Sequence, residues 1–93
     1  MKEGSNAAHV FISGVVQGVG YRLATREMAT AHGLMGWVQN LPDGRVEAIF
    51  EGDAKAVDSA IRWCHQGPPG ARVEDVVVTR QDPEGFKTFE IRR

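Results

Sequence analysis

Apolar residues recur along the chain in short runs, and their spacing alternates between the periods typical of strands and of helices. Residues 9–13 are an apolar run with β-branched and aromatic positions that stops at Gly14, which predicts a buried first strand. A first helix is predicted over residues 21–32, before Gly33, because apolar residues recur there at helical spacing. These residues are Tyr21, Ala24, Met28 and Ala31.

Two further strands are predicted at residues 35–40 and 45–51, joined by the turn sequence of residues 41–44, which contains Pro and Gly. In the second of these strands apolar positions alternate with charged ones, so one face of the sheet is expected to be open to water. The expected buried face comprises Val46, Ala48 and Phe50. On the other face, Glu47 and Glu51 are expected to be solvated.

A second helix is predicted after Asp53, a favourable N-cap residue, and before Gly67. Its apolar stripe consists of Val57, Ala60, Ile61 and Cys64. Residues 73–79 and 88–92 predict two more strands. The order predicts an α+β fold, the ferredoxin-like split βαβ (βαββαβ) sandwich, with two helices on one face of a mainly antiparallel sheet and a short C-terminal strand. Residues 1–7 are interpreted as a flexible tail and residues 8–93 as the domain.

Length and charge exclude several classes of protein. The 93 residues suffice for one domain, which we expect to be a monomer, and the net charge of −1 lacks the basic field that nucleic-acid binding needs. An RNA-binding domain of this topology would also need exposed aromatic residues on the central strands, where residues 45–51 offer mainly Arg and Glu. The start of the sequence has no apolar stretch suited to a signal peptide or membrane anchor, so a cytoplasmic location is expected.

The segment most suggestive of chemistry is residues 14–22, which joins the first strand to the first helix through three glycines. Glycines allow backbone N–H groups to turn toward a ligand, and the start of a helix adds unpaired donors and partial positive charge. A phosphate-binding cradle is therefore predicted, and its candidate residues are Val15, Val16, Gln17, Gly18, Val19 and Gly20. Arg22 lies in the first helical turn, where the helix dipole disfavours a cation, and a bound phosphate would explain its presence.

The glycines alone leave an alternative open, since they also fit a structural connection followed by a surface arginine. The segment is neither a Walker A loop, because it lacks the Gly-Lys-Ser/Thr ending, nor a dinucleotide-binding fingerprint, because its glycine spacing differs. Nucleotide chemistry is thus not expected.

Asn40 is the second candidate, because topology brings it to the cradle. In a split βαβ sheet of strand order 4-1-3-2, the first two strands run parallel, so Asn40 and the cradle share one sheet edge. Two interstrand steps, about 10 Å, separate them. The alternative interpretation of Asn40 is a turn former ahead of Pro42.

Other reactive side chains are not expected to form a site. His9, His32 and His65 fall on three different elements, and neither they nor Cys64, which lies on an apolar helical stripe, show the spacing of metal ligands. We therefore expect no metal and no cofactor. Ser13 has no evident histidine partner, Trp37 and Trp63 are interpreted as core residues, and Asp43 as a turn residue.

Residues 14–22 and 36–47 together resemble the signature of the acylphosphatase family, a Gly-x-Val-Gln-Gly-Val-Gly-aromatic-Arg cradle and a Gly-Trp-Val-x-Asn-x-x-Asp-Gly-x-Val-Glu strand-turn-strand. The resemblance implies hydrolysis of acyl phosphates to a carboxylate and inorganic phosphate. It implies that Arg22 and the loop N–H groups bind the phosphoryl group and that Asn40 positions the attacking water. Tyr21 and Gln39 stand where many members have Phe and Arg, which leaves substrate preference open.

An alternative of a different class is a noncatalytic module of the same fold that binds a small anion for regulation. Such a module would need the cradle but not Asn40.

Overall fold

The computed structural model describes residues 5–92 of the chain. Five strands and two helices follow one another in the predicted order. They are β1 (Ser5–Val15), α1 (Tyr21–Ala31), β2 (Met35–Asn40), β3 (Val46–Asp53), α2 (Ala54–Gln66), β4 (Arg72–Gln81) and β5 (Phe89–Ile91). They build a five-stranded sheet of order β4-β1-β3-β2-β5, antiparallel except for the β2–β5 pair. The predicted ferredoxin-like α+β fold is confirmed, including the order 4-1-3-2.

The core lies between the sheet and the two helices. Alternate residues in the middle of β1 and in the first part of β3 are completely buried there. They are Ala8, Val10, Ile12, Val46, Ala48 and Phe50. The predicted stripe of α2 is confirmed: Val57, Ala60 and Cys64 are fully buried and Ile61 packs against them. The side chain of Asp53 accepts a hydrogen bond from the N–H of Lys55, as an N-cap does.

The first strand is longer than predicted at both ends. Residues 5–7, interpreted as part of a flexible tail, lie in β1, because β3 extends to Asp53 and its backbone pairs with them. The rest of the predicted tail, residues 1–4, lies outside the described residues. Gly14 does not end the strand; a shift in register between Ser13 and Gly14 lets β1 continue to Val15. A Cβ at Gly14, where φ is 124°, would approach the Arg72 carbonyl oxygen to 2.1 Å.

The prediction that Glu51 is solvated is wrong. The residue is 5% exposed, and its carboxylate accepts hydrogen bonds from the backbone N–H groups of Glu84, Gly85 and Phe86. Ile49 on the same face is also buried. The face of the sheet opposite the helices is therefore partly covered, because the loop between β4 and β5 is held against it. A pattern within one strand cannot reveal such a distant covering segment.

Candidate active site

The loop between β1 and α1 forms one wall of a pocket of about 210 Å³ at the sheet edge. Gly18 and Gly20 both have φ of 77°, a left-handed conformation that glycine adopts without strain. The N-cap residue of α1 is Gly20, so no side chain caps the helix with a hydrogen bond. The first turn also holds no acidic residue. The positive end of the helix is thus neither capped by a side chain nor neutralised from within α1.

Six of the predicted site residues line this pocket. They are Val16, Gln17, Gly18, Gly20, Arg22 and Asn40. Two other predicted cradle residues do not line it: Val15 pairs with Arg72 in the β1–β4 ladder, and Val19 packs against the core. The convergence predicted from topology for Arg22 and Asn40 therefore occurs in the structure.

Arg22 and Asn40 are both partly buried, and their side chains make no ion pair or hydrogen bond with any of residues 5–92. Arg22 lies in the first turn of α1, and Asn40 is the last residue of β2. A guanidinium and an amide that line a pocket without a protein partner remain available to a ligand.

Gln17 connects these two parts of the site through its side chain, a role that its place in the glycine-rich motif does not predict. Its side-chain Nε2 donates hydrogen bonds to the carbonyl oxygens of Leu41, at 2.8 Å, and Arg45, at 2.9 Å. These carbonyls belong to the turn directly after Asn40, whose ends are also joined by a bond from the Leu41 N–H to the Arg45 carbonyl. The glycine-rich loop is thereby fastened to the end of β2 across the intervening strand.

Asp43 is a turn residue, as predicted. Its carboxylate accepts hydrogen bonds from the backbone N–H and from Nε of Arg45, and the backbone bond is the main reason that its pKa lies below the ordinary value. It does not line the pocket.

Gln39 and Tyr21, the two departures from the family signature, differ in their position relative to the pocket. Gln39 donates to Glu47 Oε1 at 2.7 Å and does not line the pocket. Tyr21 lines the pocket, yet its buried hydroxyl donates to the Cys64 carbonyl at 2.8 Å, and burial raises its pKa. The hydroxyl is therefore directed into the protein rather than toward a ligand.

The remaining reactive side chains have structural partners. His9 Nε2 lies 2.6 Å from Glu47 Oε2, and the Nδ1 atoms of His32 and His65 each contact a carbonyl one helical turn earlier. Cys64 is a buried free thiol, as predicted, and burial raises its pKa to about 12. Within residues 5–92 no three His, Cys, Asp or Glu side chains cluster as a metal site would require.

Fold and pocket together define a small α+β protein with a glycine-rich loop, an arginine and an asparagine around one cavity. A sequence model of the family described as Acylphosphatase matches residues 8–91, so the chain belongs to the acylphosphatase family. An acylphosphatase of Haloquadratum walsbyi is 58% identical over 93 residues, which is 100% of both chains. The protein accordingly hydrolyses the carboxyl–phosphate bond of acyl phosphates, releasing a carboxylate and inorganic phosphate.

Solved structures agree with this assignment. An acylphosphatase from Coxiella burnetii superposes with a TM-score of 0.93 at 35% identity, covering 96% of this chain and 94% of that one. An acylphosphatase from Bacillus subtilis superposes with a TM-score of 0.92 at 36% identity, covering 95% and 99%. These relatives favour the enzyme over both the regulatory anion-binding module and the RNA-binding domain. No helix in the described part of the chain is long and apolar enough to span a membrane.

Proposed function

We propose that acyl phosphate hydrolysis takes place in the pocket between the glycine-rich loop and the end of β2. Arg22 and the loop N–H groups bind the phosphoryl group, and Asn40 orients the attacking water. The observation that carries this proposal is that Arg22 and Asn40 line the same pocket with their side chains unpaired in the described chain.

Arg22 and the start of α1 supply positive charge where the phosphoryl group binds. The guanidinium can donate two parallel hydrogen bonds to phosphoryl oxygens, and the loop and helix N–H groups bind the others. Because charge builds up on these oxygens and on the leaving carboxylate during transfer, fixed donors lower the barrier. The missing acidic residue in the first turn of α1 leaves this field uncancelled.

Asn40 contributes position rather than proton transfer. An amide is not a base, but its oxygen can accept a hydrogen bond from a water and hold that water in line with the bond to be broken. We propose that a phosphoryl oxygen takes the proton of the attacking water. The departing carboxylate is a good leaving group, so little help from a general acid is needed.

Turnover of benzoyl phosphate in the presence of a chelator tests these roles. We expect Asn40→Ala to lower kcat by about 100-fold or more while inorganic phosphate still inhibits, because the cradle remains intact. Arg22→Ala is expected to lose both turnover and inhibition by phosphate. Arg26→Ala, an exposed arginine on the same helix, is the matched control and should retain full activity. Normal turnover by either site variant would contradict its assigned role.

We also propose that the protein acts as a monomer in the cytoplasm. One chain supplies both the proposed phosphate-binding groups and Asn40, so the proposed reaction does not require a second copy. The free thiol of Cys64 suits a reducing compartment. Light scattering coupled to size-exclusion chromatography would test the first point, and cell fractionation the second; a stable dimer or an exported protein would contradict them.

A further inference from the structure

The pocket has an apolar part that the binding of phosphate does not require. Besides the cradle, Arg22 and Asn40, it is lined by Leu23 at the start of α1 and Ile91 at the end of β5. These two elements contact each other directly. We refer to Leu23 and Ile91 as the apolar wall.

Leu23 is unusual in its exposure. It is 49% exposed, and of the three large hydrophobic residues that are exposed among residues 5–92, it alone lines the pocket. When a ligand covers an exposed leucine beside an anion site, the removal of apolar surface from water strengthens binding of that ligand. Ile91, by contrast, is partly buried and packs against the core. Core packing holds its side chain in place, so Ile91 gives the pocket a fixed apolar surface.

Among the described residues that line the pocket, Arg22 is the one cation. The only other ionisable group in this described set is the hydroxyl of Tyr21, which donates to the Cys64 carbonyl. If Arg22 binds the phosphoryl group, no described lining residue remains to pair with a second anionic group on the substrate. A carboxylate on the acyl chain would therefore lose hydration without gaining a partner.

We propose that the apolar wall is the acyl-group subsite and that Leu23 determines specificity for acyl phosphates with small apolar acyl groups over those with an anionic acyl chain. This inference rests on the proposed function, which orients the phosphoryl group toward Arg22. A volume of about 210 Å³ suits a phosphoryl group with a small acyl group, since it lies below the range of about 300–1,000 Å³ typical for drug-sized ligands.

The test compares kcat/KM for benzoyl, acetyl and succinyl phosphate, so that intrinsic differences between the substrates cancel in the ratios between variants. Leu23→Ala should lower the benzoyl-to-acetyl ratio about fivefold, because several methyl and methylene contacts are lost with the larger acyl group only. Leu23→Lys should raise the succinyl-to-benzoyl ratio about tenfold, because it supplies the missing cation. Inhibition by inorganic phosphate should change less than about twofold in Leu23→Ala.

Val77→Ala is the matched control, because Val77 is 51% exposed but lies on β4 away from the pocket. Its substrate ratios should equal those of the unmodified protein. An unchanged benzoyl-to-acetyl ratio in Leu23→Ala, or an equal loss with both substrates, would overturn the subsite. Asn40→Ala in the same series reports on the proposed mechanism: if it remains fully active the mechanism fails, whereas an inactive Asn40→Ala with an unchanged Leu23→Ala ratio contradicts the subsite alone.

Discussion

The two hydrogen bonds donated by the Gln17 side chain allow the assembly of the active site to be tested apart from its chemistry. Gln17→Leu removes the donor while retaining an apolar body of similar reach. Both acceptors keep a backbone partner, since the Leu41 carbonyl also accepts from the Gly44 N–H at 3.1 Å and the Arg45 carbonyl from the Leu41 N–H at 2.8 Å. The cost is therefore two lost bonds without a stranded acceptor.

Each partly buried bond contributes about 1 kcal/mol, so the free energy of unfolding should fall by about 1–2 kcal/mol. The effect on catalysis should be larger than this loss of stability implies. Without these bonds, no other hydrogen bond of the described residues joins the loop directly to the turn after Asn40. A displacement of about 1 Å between Arg22 and Asn40 can lower the rate about 100-fold. We expect kcat for benzoyl phosphate to fall between about 10-fold and 100-fold.

Urea denaturation and steady-state hydrolysis of benzoyl phosphate would measure the two effects on one preparation. Gln66→Leu, which alters an exposed glutamine at the end of α2, is the control and should change neither quantity. Unchanged stability in Gln17→Leu would show that the two bonds contribute nothing to folding. Reduced stability with a normal kcat would refute the positioning role, because the clamp would then be structural only.

Three further outcomes follow from the packing. Gly14→Ala should largely prevent folding, measured by circular dichroism, because its Cβ would lie 2.1 Å from a carbonyl oxygen of β4. Glu51→Gln should lower the free energy of unfolding by about 1–3 kcal/mol in urea, because its carboxylate accepts three backbone N–H groups, whereas Glu74→Gln on exposed β4 should change little. The pKa of Cys64 is raised from 9.0 to about 12, so above pH 9 the unfolded state releases a proton that the folded state keeps. The stability contributed by the neutral thiol should therefore be fully present below pH 9, and the free energy of unfolding should fall by about 1 kcal/mol between pH 9 and 10. Cys64→Ala should show a smaller fall over this range, and an equal fall in both proteins would contradict this linkage.

The backbone part of the site could be predicted from the sequence because it depends on short-range rules. Glycines at positive φ, the start of α1 and the end of β2 are each recognisable locally, and the topology of a split βαβ sheet brings Arg22 and Asn40 to the same edge. The range of β2 agrees with its prediction because the Pro-Asp-Gly turn after it determines where the strand ends.

Other features depend on contacts between segments far apart in the chain, which composition and periodicity do not encode. The glycine-rich motif predicts a role for the backbone N–H of Gln17, whereas the contact of its side chain with the turn, 24 and 28 residues later, depends on the folded arrangement. The burial of Glu51 depends on a loop 33 to 35 residues away. Likewise, the apolar wall joins Leu23 in the first helix with Ile91 in the last strand, so no local motif contains both.

The start of α1 combines several features that would each weaken a helix on its own. Its N-cap is Gly20 without a side-chain bond, its first turn lacks an acidic residue, and Arg22 places a cation near the positive end of the dipole. Each arrangement costs a fraction of the helix stability. An anion bound at this end of α1 would accept hydrogen bonds from the unpaired N–H groups and pair with Arg22, which would offset part of that cost. An anion that binds at this helix should stabilise the fold by an amount that rises with the logarithm of its free concentration above Kd. The same donors act most strongly when negative charge on the phosphoryl group is greatest.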